Sequence, residues 1–169
     1  MRRVLGRIAL LLSVTASAGA AAETPATESR AVEITDFGIY VAGPMTHVPA
    51  PGQLSGQRWQ AEVRHVETAE TIPGQLGRIF GIRFRVTDPR LIGQTLTARI
   101  RHPKLTAETG RSATESSFTT TASANGRELG HFFAFEYTYE IAEGDWTFEV
   151  VHNGRVLAAK KFRVIVNMY

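Results

Sequence analysis

The feature that most restricts the fold of this chain is a repeated two-residue alternation of apolar and polar side chains. Phe80, Ile82, Phe84 and Val86 share one parity, with Arg83 and Arg85 on the other. Leu96, Ala98 and Ile100 alternate with Thr97, Arg99 and Arg101, and Trp146, Phe148 and Val150 with Thr147 and Glu149. Successive side chains of a strand point to opposite faces, so each run presents one apolar and one wet face. Gly, Pro, Asn and Asp separate the runs, and no stretch carries a helical period. Alternating strands of this kind belong to antiparallel sheets. The reading is an all-β immunoglobulin-like sandwich of seven to eight strands, with a small β-barrel as the alternative.

The strands read as follows. The first covers Val32 to Val41, with a bulge near Thr35-Asp36 because the apolar parity changes there. Residues 42–56, with three prolines and three glycines, read as a long loop. Trp59, Ala61 and Val63 mark a second strand. The runs at 80–86 and 96–101 form the third and fourth, the latter ended by Pro103. Residues 104–116 read as loop and Ser117 to Thr121 as a weak strand. His131 to Ile141 reads as the longest strand, with Phe133, Phe135, Tyr137, Tyr139 and Ile141 on one face. Asn153-Gly154 predicts a type I′ hairpin between the run at 146–150 and a last strand over Val156 to Val166. A second parity change places a bulge near Lys160-Lys161.

The first 22 residues read as a secretory signal peptide. Arg2, Arg3 and Arg7 precede the apolar run Ile8 to Val14, and Ala20-Ala21-Ala22 fits a cleavage site. The apolar run is too short to span a bilayer. Residues 23–31 are a small, polar spacer and 32–169 the folded domain. Cleavage removes three of 19 basic residues and no acid, leaving 16 of each sign. A neutral, exported chain lacks the footprint of a nucleic-acid binder. With no cysteine there is no lipid anchor, disulfide, thiol chemistry or cysteine-ligated metal. The expected location is the periplasm, or outside the cell as the alternative.

Candidate chemistry is sparse. Arg83 and Arg85, and Arg99 and Arg101, project from consecutive predicted strands. If those strands pair, the four guanidinium groups share one face suited to carboxylate or phosphate. Ion pairs with Glu136, Glu140 and Glu149 on the same wet surface are the plainer role. If the arginines instead hold an anionic ligand, charge reversal at Arg83 and Arg99 is expected to abolish that binding with little change in melting temperature. Glu136 and Glu140 fall roughly 14 Å apart on an extended strand, too far for paired-carboxylate catalysis. His47, His65, His102, His131 and His152 show no metal-ligand spacing, and His131 reads as partly buried and hydrogen-bonded. No nucleophile-elbow, phosphate-loop or dinucleotide motif occurs. No catalytic residue, metal or cofactor is expected. The leading reading is a non-enzymatic module that binds an envelope protein or polymer through the arginines, the 42–56 loop or a free strand edge. A carrier of an anionic small ligand and a loop-built hydrolase are the alternatives. Oligomeric state is left open.

Several segments together resemble a known family. They are Ile34 to Tyr40 (ITDFGIY), Gly77 to Val86 (GRIFGIRFRV), His102-Pro103, Gly144 to Val150 (GDWTFEV), Asn153 to Leu157 (NGRVL) and Phe162 to Val164. This set is similar to the bacterial DUF3859 family and covers about residues 32–166. The family is functionally uncharacterised, so the resemblance implies a fold and no catalytic residue.

Overall fold

The computed structural model describes residues 31–50, 53–122 and 127–166. The predicted signal peptide and nearly all of the spacer lie outside the described residues. Among the described residues, eleven strands run in order β1 (Val32–Ala42), β2 (Thr46–Pro49), β3 (Gln57–Gln60), β4 (Val63–Glu67), β5 (Thr71–Pro73), β6 (Ile79–Val86), β7 (Thr95–Thr106), β8 (Ser112–Thr121), β9 (Leu129–Ala134), β10 (Gly144–His152) and β11 (Arg155–Ile165). They form a four-stranded sheet β4-β1-β6-β9, a five-stranded sheet β5-β11-β10-β7-β8 and a separate hairpin β2-β3. The two large sheets are open, so the fold is a β-sandwich and not a closed barrel.

The alternation read in the sequence is the packing plan. Phe80, Ile82 and Phe84 of β6 and Trp146, Phe148 and Val150 of β10 are fully buried between the sheets. Phe80 is the hub, with ring centroids 5.3–5.6 Å from Phe135, Trp146, Phe148 and Phe162. The contacts with Trp146, Phe148 and Phe162 are edge-on, a geometry that adds to the burial of each ring. The Trp146 indole N–H is satisfied by the Ala142 carbonyl at 3.1 Å.

One predicted bulge and one predicted turn form where expected. β1 shifts register between Ile34 and Asp36, which reconciles its two apolar parities. Asn153 (φ 48°) and Gly154 (φ 78°) make the tight β10–β11 turn. The second bulge is displaced from its predicted place. Val150 faces Ala158 while Val151 faces Val156, so Leu157, not Lys160-Lys161, is the extra residue.

Other segments differ more. The 42–56 loop contains β2, which pairs with β3. The strand predicted through Trp59, Ala61 and Val63 breaks into β3 and β4, which belong to different sheets. Pro103 does not end the fourth strand. β7 continues to Thr106 with a register shift between Arg101 and Leu105, and an irregular ladder tolerates a residue without N–H. The predicted 104–116 loop is therefore mostly the β7–β8 hairpin. The predicted 131–141 strand stops at Ala134, and Thr138–Glu140 forms a 3₁₀ turn. The sheets are not wholly antiparallel, because β5 joins β11 in parallel.

Glycine is required where β4 approaches β1 and where β9 approaches β6. Gly38 and Gly81 face each other across β1 and β6. A Cβ on Gly81 would run into the His131 carbonyl oxygen, and one on Gly38 into the Glu67 carbonyl oxygen. These are backbone atoms and cannot swing aside. Gly81→Ala should cost about 3 kcal/mol or more in urea unfolding, from overpacking and strain. Gly110→Ala, with no neighbour within 4 Å of its added Cβ, should cost only about 1 kcal/mol for its positive φ.

Candidate functional site

The open side of the sandwich lies where the outer edges of β8 and β9 face each other, because each is the last strand of its sheet. A slot of about 490 Å³ opens there. All six residues of β9 line it, with Ser116, Ser117, Phe118 and Thr120 of β8. The four residues of β3 and the chain onward to Val63 form its roof.

Local chemistry explains why the β2–β3 hairpin sits across this gap. Trp59 packs with Phe132 against a small second core of Tyr40, Ile79 and Ala134, on the outer face of the four-stranded sheet. On the other side the Arg58 guanidinium lies 5.5 Å over the Phe118 ring. Three side chains fasten the roof. The Gln53 amide donates to the Ser117 carbonyl at 2.9 Å, and the Gln57 amide to the Tyr137 hydroxyl at 3.1 Å. His47 Nε2 lies 2.7 Å from Glu136 Oε1. A roof carrying Gln53, Gln57 and Gln60 is thus held over a mostly apolar floor by a few polar contacts and one aromatic anchor.

His131 is at the floor. Its position on β9, opposite Ile82, turns it between the sheets, where it is fully buried between Phe118 and Phe148. Its Nε2 lies 3.1 Å from the Arg99 carbonyl of β7, linking the two sheets. A carbonyl only accepts, so Nε2 carries the hydrogen. Nδ1 is buried without a hydrogen-bond partner. Burial pushes the imidazole down to about 4, which keeps it neutral. His131 was predicted partly buried; it is wholly so.

Glu140 closes one end. Because residues 136–140 turn, its carboxylate accepts the backbone N–H groups of Glu136 (2.8 Å) and Tyr137 (3.0 Å). The 14 Å separation expected on an extended strand therefore does not apply, and Glu136 and Glu140 both border the slot. Burial, with Glu136 close by, raises the Glu140 carboxyl to about 7 against the pull of its two N–H donors. Its hydrogen bonds hold the turn. Sequence reasoning placed Glu140 on the wet face because the aromatic alternation continued through the turn; it is buried.

The four arginines do not form one face. Arg83 and Arg85 lie on β6, Arg99 and Arg101 on β7, and those strands belong to different sheets. Arg83 bonds the Val63 carbonyl, lies 3.6 Å from Asp36 and sits over the Tyr40 ring. Arg85 pairs with Glu33 at 2.7 Å in solvent. Arg99 (2.6 Å) and Arg101 (3.3 Å) converge on Glu149, which is only 5% exposed. Glu149 has the predicted outward parity, yet the two arginines cover it. Of the four, only Arg83 borders the slot. Among the described residues, no three His, Asp or Glu side chains gather as metal ligands would.

Glu149 changes what charge reversal should do. Arg99→Glu puts a second carboxylate against a buried one and should destabilise by about 3–5 kcal/mol, a large loss in melting temperature. Arg85→Glu, on an exposed pair, should shift stability by about 1 kcal/mol or less. Thermal melts of the two variants check this. His131 sets an acid limit. Its folded-state value lies below the ordinary 6.5, so the stability it contributes is present above pH 6.5 and is lost as pH falls toward 4. The loss should approach about 3 kcal/mol. Glu140 acts with opposite sign, its contribution falling as pH rises from 4.5 through about 7. Urea unfolding between pH 4 and 8 on wild type, His131→Gln and Glu140→Gln separates the two slopes.

Comparison with known proteins places this geometry. A solved structure, an immunoglobulin-like protein (PA1606) from Pseudomonas aeruginosa, superposes with a TM-score of 0.59 at 19% identity. The match covers 79% of this chain and 96% of that one, and at this identity the likeness concerns the fold. No curated protein matches the chain. The family model described as "Domain of unknown function (DUF3859)" matches residues 28–164, so the chain belongs to the DUF3859 family.

Proposed function

We propose that this protein is an exported, non-enzymatic binding module of the cell envelope, and that it engages its partner at the slot between β8 and β9. The observation that carries the reading is the slot itself. It lies between two strand edges that are unpaired among the described residues, under a roof fastened mainly by side chains. Few surfaces of a sandwich offer both an apolar floor and free backbone groups.

Three titratable groups at the slot support binding over catalysis, because each is already engaged. Glu140 is committed to its turn, Glu136 to His47, and Arg83 to Asp36 and the Val63 carbonyl. A general acid or nucleophile needs a group free to move a proton or attack. Export is supported by the Arg2-Arg3, apolar and Ala20-Ala21-Ala22 pattern of the leader. The anionic-carrier reading loses support, since the arginines are divided between two sheets and each faces a carboxylate.

In-cell photo-crosslinking tests the reading. p-Benzoylphenylalanine replaces Phe118 inside the slot, and separately Thr119 on the opposite face of β8. The expected result is a recurrent adduct from position 118 in the envelope fraction and none from 119, with a mature amino terminus at or near Glu23. Adduct-free protein at position 118 across growth conditions, with the protein folded, would overturn it.

A further inference from the structure

We infer that the slot's occupant is an extended segment of another polypeptide, which adds as a fifth strand to the outer edge of β9. This rests on the binding reading above and names the chemistry of its partner. β9 pairs with β6 through six consecutive residues, Ile79↔Ala134 to Phe84↔Leu129, and among the described residues no strand lies on its other side. A strand paired on one side turns alternate N–H and C=O groups away from its neighbour. In β9 those groups face the slot, which all six residues line. Only a second backbone presents donors and acceptors at the matching repeat, which is the basis of strand addition. The hairpin roof does not supply it, since the hydrogen bonds by which it reaches β8 and residues 136–137 start from the side chains of Gln53, His47 and Gln57.

The pleat of β9 also dictates what the segment carries. His131 and Phe133 point between the sheets, opposite Ile82 and Phe80. Phe132 points the other way, against the core sealed by Trp59. A strand laid on β9 continues both faces. Its alternate residues enter the gap beside Phe118 and Ile100 and must be apolar. The intervening ones meet the Gln57 to Gln60 roof and tolerate polar groups. Charge contributes little, because the rim carries Arg58 and Arg83 but also Glu62 and Glu136. Six residues at about 3.4 Å each give a contact of roughly 20 Å. The partner segment is thus five or six residues long, alternately apolar, and free of proline at ladder positions.

The test uses the mature full chain and a displayed library of random heptapeptides, followed by synthetic copies of the enriched sequences. Enriched peptides should show apolar residues at every second position and no internal proline. Hydrogen exchange should slow at alternate amides of β9 on binding. Methylating alternate peptide nitrogens on the β9-facing edge should weaken binding at least tenfold. Thr120→Trp, which fills the slot from β8, should abolish binding, while Thr119→Trp on the outer face should not; melting temperatures confirm that both fold. Failure to enrich any peptide, or binding indifferent to nitrogen methylation, would overturn strand addition. If the position-118 probe then captures a glycan or lipid, the binding reading stands and the polypeptide inference alone falls. If it captures nothing, both fall.

Discussion

The aromatic hub around Phe80 is the interaction on which the rest of the molecule depends. Its ring meets Phe135 beyond β9, Trp146 and Phe148 from β10, and Phe162 from β11. No disulfide ties the sheets together, so this cluster and the aliphatic residues around it hold the sandwich. Next to Phe80 stands Gly81, where a side chain would strike the His131 carbonyl. The pair works as a unit. One residue fills the centre, and its neighbour lets β9 come close enough for His131 and Phe133 to enter the same core. Removing volume at Phe80 and adding it at Gly81 would damage the same contact from opposite sides.

The slot follows from that arrangement. The aromatic rings concentrate in the middle of the sandwich and toward its Trp146 end. At the β8 side the inward residues are Ser116, Phe118 and Thr120, of which only Phe118 is large and apolar. The sheets are therefore fully packed at the centre and thinly filled along this edge. His131 bridges the thin region with one hydrogen bond and remains neutral there because water is excluded. An unpaired edge beside an underfilled gap invites wrong pairing with other chains, and proteins cover or interrupt such edges. The β2–β3 hairpin does this from above. Its anchor, Trp59, lies outside the main core, so roof and sandwich are stabilised by separate contacts.

Much of this was legible in the residues. Strict alternation at Phe80 to Val86 and Trp146 to Val150 marks sheet positions with one buried face. Asn153-Gly154 marks a turn, and the parity change before Phe37 marks a bulge. These signals are local, and local chemistry decides them. The long segments misled for a related reason. Phe133 to Ile141 keeps a two-residue aromatic rhythm, yet Phe133 and Phe135 enter the core whereas Tyr137 and Tyr139 stack on each other at 5.2 Å beside a turn. Glu140 bends that segment by binding two backbone N–H groups, a capture that alternation does not reveal. Prolines at 44, 49 and 51 suggested an open loop, but a short hairpin needs only four ladder residues per strand.

The arginines show where sequence reasoning necessarily stops. Parity placed Arg99, Arg101 and Glu149 on wet faces, and each has that parity. Which strands adjoin is a long-range matter, set by the sandwich topology, in which β6 and β7 are consecutive in sequence and in opposite sheets. Once β10 lies beside β7, Glu149 faces Arg99 directly, and the two arginines enclose it. A nominally solvent-facing carboxylate thus becomes a buried one whose charge needs its partners. The same topology that divides the arginines leaves β9 without an outer neighbour among the described residues. Loss of the predicted anion face and appearance of the backbone-lined slot are two results of one strand order.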